Sequence, residues 1–251
     1  MARLLPVLSV AAVMAGVLAA PALAADLLLP PAPALEDEVV ELGTGWYLRG
    51  DVGYIDYDTP RDRGTSARGI PPLDGERLKQ IFSLGGGVGY QLSPWLRTDL
   101  TIDHRFGAEY TGTRPFPTYD VGVITDKTDL ESTSFLLNAY FDLGYWAGVT
   151  PYVGAGAGFS INRFTNFTRI TTVNAPPFFD ATILGPHTTY NFAWALMAGA
   201  AVDVGSGFKL DVGYRYVNLG DARSRFDADP SIRTEAIQAH EIRVGARYMI
   251  D

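Results

Sequence analysis

The segment at residues 239–251 alternates between an apolar face and a charged face, as an extended strand with two different faces does. The apolar face carries Ile242, Val244, Ala246, Tyr248 and Ile250. The opposite face carries the charged residues Glu241, Arg243 and Arg247, together with Gly245 and Met249. Such a strand has an open edge, and the first strand of the same chain is the obvious candidate to cover it. The pattern therefore predicts a barrel that this last strand closes.

Eight segments in all show an alternation of period two. They cover residues 46–57, 80–92, 95–106, 132–143, 150–163, 190–204, 208–217 and 239–251. The connections are long and short in turn, which places three tight turns at one end and four long loops at the other. Each segment is long enough to cross a bilayer when tilted, which takes about 9 to 11 residues. We therefore predict an all-β fold, an eight-stranded antiparallel up-and-down transmembrane β-barrel with long extracellular loops and short periplasmic turns.

The aromatic residues on the apolar faces support this interpretation. If the first strand ascends from the periplasm, one group falls near the periplasmic rim, namely Trp46, Tyr90, Trp95, Phe141, Phe208 and Tyr248. A second group falls near the outer rim, namely Tyr54, Phe82, Phe106, Phe159, Phe192, Trp194, Tyr214 and Tyr216. Aromatic residues collect at both interfaces of a membrane. A soluble barrel would instead place its apolar residues inside and its charges outside.

The N-terminal region divides into two segments that precede the barrel. Residues 1–24 have the basic start, apolar core and small-residue end of a secretory signal peptide, with cleavage expected before Ala25. Residues 25–44 are rich in proline and acidic residues, which predicts an extended periplasmic linker. The barrel domain is predicted to cover residues 45–251. No later run of about 18 apolar residues suggests a spanning helix.

Composition narrows the functional classes. An exported chain without cysteine is not a disulfide-stapled domain. The formal net charge of −8 becomes −9 when cleavage removes Arg3, which disfavours nucleic acid as a partner.

The inward faces of the predicted strands carry charges of both signs. The predicted lumen charge network comprises Arg49, Asp51, Arg97, Asp99, Asp103, Arg105, Asp142, Asp203, Lys209, Asp211, Arg215, Glu241, Arg243 and Arg247. Side chains just fill the interior of an eight-stranded barrel, so we expect these ions to pair across it. Inward glycines of the second and fifth strands would make room for the arginines. The alternative is a narrow selective pore through the same network.

Few residues of the sequence have the type and spacing that catalysis, metal binding or ligand binding requires. The histidines His104, His187 and His240 lack the spacing of metal ligands. A barrel lipid hydrolase would use a serine two positions after its histidine, and neither His104 nor His240 is followed by one. The glycines at 154, 156 and 158 lie inside a strand, which disfavours nucleotide binding. We predict no catalytic, cofactor-binding or metal residue and no cofactor. Loop arginines could meet lipid phosphates, and Phe178 and Phe179 could contact a host or envelope protein; a solvated, self-packed loop is the alternative.

Six runs along the predicted strands are distinctive: W-Y-L-R-G-D-V-G-Y from Trp46, L-R-T-D-L-T from Leu96, L-L-N-A-Y-F-D-L-G from Leu136, T-P-Y-V-G-A-G-A-G-F from Thr150, L-D-V-G-Y-R-Y-V-N-L-G-D from Leu210 and H-E-I-R-V-G-A-R-Y from His240. They resemble alphaproteobacterial outer-membrane β-barrel surface antigens, which are porin-like or opacity-like eight-stranded barrels. The resemblance implies an abundant surface protein tied to envelope integrity, with haem binding or adhesion attributed to some members. It also implies a C-terminal assembly signal, and because the chain ends Ile250-Asp251 we assign that signal to Tyr248 and Ile250.

The sequence thus predicts a non-enzymatic outer-membrane barrel, exported through a cleaved signal peptide, with a structural, envelope-integrity and surface-display role. A small porin-like channel and loop-mediated binding of haem, lipopolysaccharide or a host protein are the alternatives. The expected partners are outer-membrane lipids, lipopolysaccharide and the barrel assembly machinery, with host or envelope proteins through the loops. Nucleic acid is not expected.

Overall fold

A computed structural model describes residues 45–58, 74–115, 122–174, 177–222 and 236–250. These residues form antiparallel strands and include no helix that is long and apolar enough to cross a membrane. The strands are β1 (Trp46–Tyr57), β2 (Asp74–Leu78), β3 (Ile81–Ser93), β4 (Leu96–Pro115), β5 (Gly122–Asp142), β6 (Val149–Asn174), β7 (Pro177–Leu184), β8 (His187–Gly205), β9 (Phe208–Asn218) and β10 (Gln238–Ile250). The predicted signal peptide and linker lie outside the described residues.

Eight of these strands close into a ring. Its order is β1, β3, β4, β5, β6, β8, β9 and β10, and β10 pairs with β1 to complete it. The closing register runs from Trp46 opposite Ile250 to Tyr57 opposite Ala239. A closed ring leaves no strand edge exposed at the depth of the membrane. The predicted fold class and the predicted pairing of the last strand with the first are confirmed.

The barrel carries its apolar residues outside and its polar residues inside. Along β4, for example, Leu100 and Ile102 are exposed while Asp99, Thr101 and Asp103 are buried. This reversal of the arrangement in soluble proteins is what a barrel surrounded by lipid requires.

The outward aromatic rings pack against one another at two levels. Near the short turns, the ring centroids of Trp46 and Tyr90, Trp95 and Phe141, and Phe208 and Tyr248 lie 5.2, 5.8 and 4.7 Å apart. Towards the other end, those of Tyr54 and Phe82, Phe135 and Phe159, and Trp194 and Tyr216 lie 5.5, 4.8 and 5.5 Å apart. These two girdles bound the membrane-facing band of the barrel.

Three barrel strands continue well past the outer girdle and form a separate feature, which we call the extended sheet. It consists of the outer parts of β4, β5 and β6, with β2 paired to β4 and β7 paired to β6. Much of residues 107–131 and 164–189, which the sequence predicted as loops, is therefore strand. The tight turns at the other end agree with the prediction.

Two β-bulges explain why the alternation could not be followed into the extended sheet. On β4, the pairing shifts between Arg105 and Ala108, so the inward positions change from odd to even numbers. On β6, a matching shift lies next to Asn166, which has a φ of 52°. Each extra residue breaks the period of two on which the sequence prediction depends.

Beyond its bulge, the outward positions of β4 also become polar, namely Glu109, Thr111 and Thr113. Glu109, for example, accepts a hydrogen bond of 2.9 Å from Lys79. This hydrogen bond lowers the pKa of the Glu109 carboxyl. These polar residues indicate that the outer part of β4 lies in water rather than in lipid.

Candidate functional site

The periplasmic half of the lumen holds a group of ion pairs that we call the lower tier. Its members are Arg49, Asp51, Arg97, Asp99, Asp142, Asp211 and Arg247. Arg49 contacts Asp51 and Asp99, each at 2.7 Å. The remaining pairs are Arg97 with Asp142 at 3.1 Å and Arg247 with Asp211 at 2.7 Å. Each partner faces inward because it occupies an alternate position of its strand.

Towards the outer membrane surface lies a second group, the upper tier, which consists of Asp103, Arg105, Arg215, Glu241 and Arg243. Asp103 accepts hydrogen bonds from Arg215 at 2.8 Å and from Arg243 at 2.5 Å. Glu241 contacts Arg105 at 2.8 Å and Arg215 at 2.5 Å. Asp103, Arg105 and Glu241 are fully buried. These charges are stable inside the barrel only because they are paired.

Arg243 joins the two tiers, since it also lies 3.3 Å from Asp51. Together the tiers contain six arginines and six carboxylates, so the described network carries no net charge. The arginines are Arg49, Arg97, Arg105, Arg215, Arg243 and Arg247, and the carboxylates are Asp51, Asp99, Asp103, Asp142, Asp211 and Glu241. An ion filter would instead show an excess of one sign.

Two residues assigned to the network from the sequence do not join it. Asp203 is exposed next to the turn between β8 and β9, where its carboxylate accepts a hydrogen bond from the backbone N–H of Gly205. Lys209 lies opposite Asp203 in the register, is partly exposed, and makes no ion pair with any described residue. Both lie at the end of the barrel, where a side chain can reach water instead of the lumen.

Several inward glycines make room for tyrosines, a role that the sequence analysis did not predict. A Cβ at Gly89 would come within 2.5 Å of the Tyr47 hydroxyl, and one at Gly154 within 2.5 Å of the Tyr140 ring. A Cβ at Gly199 would lie 2.6 Å from the Tyr152 hydroxyl. The predicted room for arginine holds at Gly85, where a Cβ would collide with Asp103 and lie 2.9 Å from Arg243.

These tyrosines tie the lower tier together, and the sequence analysis missed them. Tyr47 donates a hydrogen bond to Asp99 at 3.1 Å, and Arg49 donates one to the Tyr140 hydroxyl at 2.8 Å. The Arg97 guanidinium lies over the Tyr140 ring at 4.1 Å and close to the Tyr152 ring at 4.7 Å. The sequence feature that could have revealed them is an inward tyrosine directly opposite an inward glycine on the neighbouring strand.

A cluster of buried apolar side chains, which we call the apolar layer, lies in the lumen above the upper tier. Its buried members include Ile55, Tyr57, Ala108, Leu130, Phe164, Ala193, Val217, Leu219, Ile237 and Ala239. They come from the outer ends of strands around the ring and from the segments that follow them. An apolar constriction of this kind disfavours a continuous column of water.

The lumen leaves little free space between these layers. A cavity lies between Arg49, Asp51, Arg243 and the rings of Tyr140 and Tyr152. The centre of a water molecule can occupy about 20 Å³ of this cavity, so the cavity has room for about one or two water molecules. The described lumen is therefore packed with side chains.

A further buried ion cluster lies in the extended sheet. Asp126 on β5 contacts Arg114 on β4 at 2.8 Å and Arg169 on β6 at 2.6 Å. Asp126 is fully buried, and Arg114 nearly so. The cluster joins three neighbouring strands above the membrane, where lipid no longer supports them.

The other residues considered for chemistry lie apart from one another. His104 bonds to the Thr133 hydroxyl at 2.9 Å, His240 bonds to the Tyr214 hydroxyl at 2.5 Å, and His187 begins β8. In the part of the chain that the structure describes, no three His, Asp or Glu side chains are placed to hold a metal ion. The two residues assigned to assembly, Tyr248 and Ile250, lie on the outward face of β10.

A closed ring of eight strands, with an apolar exterior and an ion-paired interior, defines a transmembrane β-barrel of the outer membrane. The chain belongs to the family described as outer membrane protein beta-barrel domain, whose model matches residues 10–249. It is 31% identical over 263 residues to an uncharacterized protein of Brucella melitensis, which covers 90% of this chain and 91% of that protein. Over 224 residues it is 25% identical to a Rickettsia prowazekii protein provisionally named an adhesin, covering 82% and 87% of the two chains.

Solved structures show the same fold. The outer membrane protein OprG from Pseudomonas aeruginosa has a TM-score of 0.51 at 12% identity, over 82% of this chain and 97% of that one. The outer membrane protein AlkL has a TM-score of 0.50 at 15% identity, over 90% and 97% of the two chains. The family places the protein in the outer membrane.

Proposed function

We propose that this protein is a non-enzymatic outer-membrane barrel that supports the envelope and displays the extended sheet at the cell surface. The observation that carries the proposal is the filled lumen, in which two tiers of neutralised ion pairs lie below an apolar layer. Such an interior stabilises a rigid barrel, and its described residues place ion pairs and apolar side chains where an open path or a substrate pocket would have to lie.

The porin-like alternative would require this interior to rearrange. Opening a path past the upper tier would separate Asp103 from Arg215 and Arg243, or Glu241 from Arg105 and Arg215. Separating a buried ion pair costs about 3 to 5 kcal/mol when a charge is left without a partner. Water would then still have to pass the apolar layer.

The extended sheet supports the display part of the proposal. On β6, the segment from Ile161 to Asn174 lies at or beyond the outer girdle. At about 3.3 Å per residue it is roughly 40 Å long, far longer than a simple hairpin turn needs. The provisional name of the Rickettsia relative is consistent with a surface-contact role.

Export and assembly complete the proposal. Cleavage before Ala25 would release a mature chain whose linker precedes the barrel. The assembly machinery would recognise Tyr248 and Ile250, which are about 40% exposed on the outward face of β10. Outer-membrane lipids and lipopolysaccharide would surround the apolar band, and the extended sheet would meet host or envelope proteins.

Planar-bilayer recording tests the filled lumen. The folded protein is expected to give no stepwise ion conductance, because paired ions and apolar side chains block the lumen. Heat-modifiable gel mobility of the same sample would show that it is folded, and a general porin inserted in parallel would show that the bilayer reports channels. Reproducible conductance steps from the folded sample would replace this proposal with the channel alternative.

A further inference from the structure

The strand β7 forms an uncovered edge of the extended sheet. Among the described residues it pairs only with residues 167–174 of β6, without a break in register. Its central residues are exposed on both faces, and Phe179 and Ile183 are 68% and 78% exposed. The edge that faces away from β6 therefore has backbone groups free to bind another strand.

The edge lacks the features by which proteins usually protect such strands. Natural edges carry lysines, internal prolines or bulges that prevent pairing. In β7 the central residues include a single charge, Asp180, whose carboxylate accepts a hydrogen bond from Thr182 at 3.2 Å. The strand is regular and ready to pair.

The order of residues along β7 fits a second copy of itself. An antiparallel pair centred on Ala181 would place Phe179 of one copy opposite Ile183 of the other, and Asp180 opposite Thr182. An aromatic residue opposite a β-branched one, and a hydroxyl opposite a carboxylate, are favourable cross-strand pairs. Ala181 would face Ala181 at the axis, where two small residues leave space. A two-fold interface requires this self-complementarity.

We propose that β7 pairs edge to edge with β7 of a second copy of this chain, about a two-fold axis at Ala181. The two strands then run in opposite directions. Two copies in one membrane are related by an axis along the membrane normal, which keeps the upward component of both strands the same. Antiparallel pairing therefore joins copies in two facing membranes. This geometry rests on the proposed display of the sheet outside the cell.

Disulfide trapping in detergent tests the strand pairing alone, independently of membrane orientation. The chain has no cysteine, so each variant contains a single thiol. In the proposed pair, two residues at position 181 are directly opposite, with Cα atoms about 4.5 to 5.5 Å apart. Ala181→Cys is expected to form a covalent dimer on mild oxidation.

Thr182→Cys is the matched control, because it lies next to Ala181 and is similarly exposed. Each residue at position 182 would lie one position from the axis, so the two would be offset by two positions along the pair, at about 8 Å, which is too far for a disulfide. We expect at least about tenfold more dimer from Ala181→Cys. Equal trapping of both variants, or none at Ala181→Cys, would overturn the proposed pairing.

Vesicle clustering tests whether the pairing joins facing membranes. Phosphatidylcholine vesicles that carry the wild-type protein are expected to cluster, as measured by light scattering. Ala181→Lys should abolish clustering because it places two lysines opposite each other, whereas Thr172→Lys, exposed on β6, should not. Mixing Ala181→Lys vesicles with Ala181→Glu vesicles should restore it.

Vesicle clustering that Ala181→Lys leaves unchanged would overturn the proposal. So would disulfide trapping of Ala181→Cys in detergent without any vesicle clustering, because it would exclude the trans geometry. Neither result depends on whether the lumen conducts, so failure here is distinct from failure of the filled-lumen proposal.

Discussion

Replacing Asp103 by Asn is expected to lower the free energy of unfolding by about 3 to 5 kcal/mol. The carboxylate is fully buried and holds both Arg215 and Arg243 at hydrogen-bond distance. Asparagine keeps the size of the side chain but removes its charge, so two buried guanidinium groups lose a counter-ion. The loss is large because lipid and packed side chains exclude the water that would otherwise solvate them.

Urea unfolding of the protein in lipid vesicles measures this change. Asp203→Asn is the control, since it makes the same substitution at an exposed position next to a turn. We expect its effect to stay within about 0.5 kcal/mol. Similar losses at both positions would show that the upper tier is not the buried ionic core described above.

Gly89→Ala is expected to destabilise the barrel by about 1 to 3 kcal/mol, the usual range for an overpacked core. The added methyl group would occupy the space of the Tyr47 ring, whose hydroxyl would lie 2.5 Å from the new carbon. Tyr47 would have to move, and its hydrogen bond to Asp99 would be lost.

Gly50→Ala provides the matched comparison in the same unfolding measurement. Gly50 lies on the exposed face of the neighbouring strand β1, and a Cβ there would meet no atom within 4 Å. The free energy of unfolding of the Gly50→Ala variant should be unchanged or slightly increased, because alanine restricts the unfolded chain more than glycine does. If the Gly89→Ala variant were as stable as the Gly50→Ala variant, the described close packing of Tyr47 against Gly89 would be contradicted.

Much of the barrel could be predicted because lipid and lumen impose opposite demands on neighbouring residues. The resulting period of two located each strand of the ring and the closing pair of β1 and β10. Prediction from the period of two failed where the contrast between lipid and lumen ends. Beyond the outer girdle, water bathes the outward face, and the bulges near Gly107 and Asn166 shift the alternation, so the extended sheet resembled loops.

The lumen was predictable in composition but not in detail. Inward charges such as Arg105 and Glu241 stand out in the alternation, and they do pair. Which carboxylate each arginine meets depends on the stagger between strands, which no local pattern contains. Asp203 was placed in the network because its strand position is inward, although the nearby turn allows it to reach solvent. Tyr47 and Tyr140 occupy inward positions in the alternation, but they were missed because only charged residues were considered for the lumen network.

The central claim is an outer-membrane barrel that displays the extended sheet on the cell surface, and cysteine accessibility in intact cells tests it most directly. Lys127 is exposed on β5 in the extended sheet, and Ser206 is exposed in the tight turn between β8 and β9. Because the chain has no cysteine, an impermeant maleimide reports each single-cysteine variant separately. Lys127→Cys should label in intact cells, and Ser206→Cys only after the outer membrane is permeabilised. The reverse pattern, or protection of Lys127→Cys in intact cells, would contradict the account.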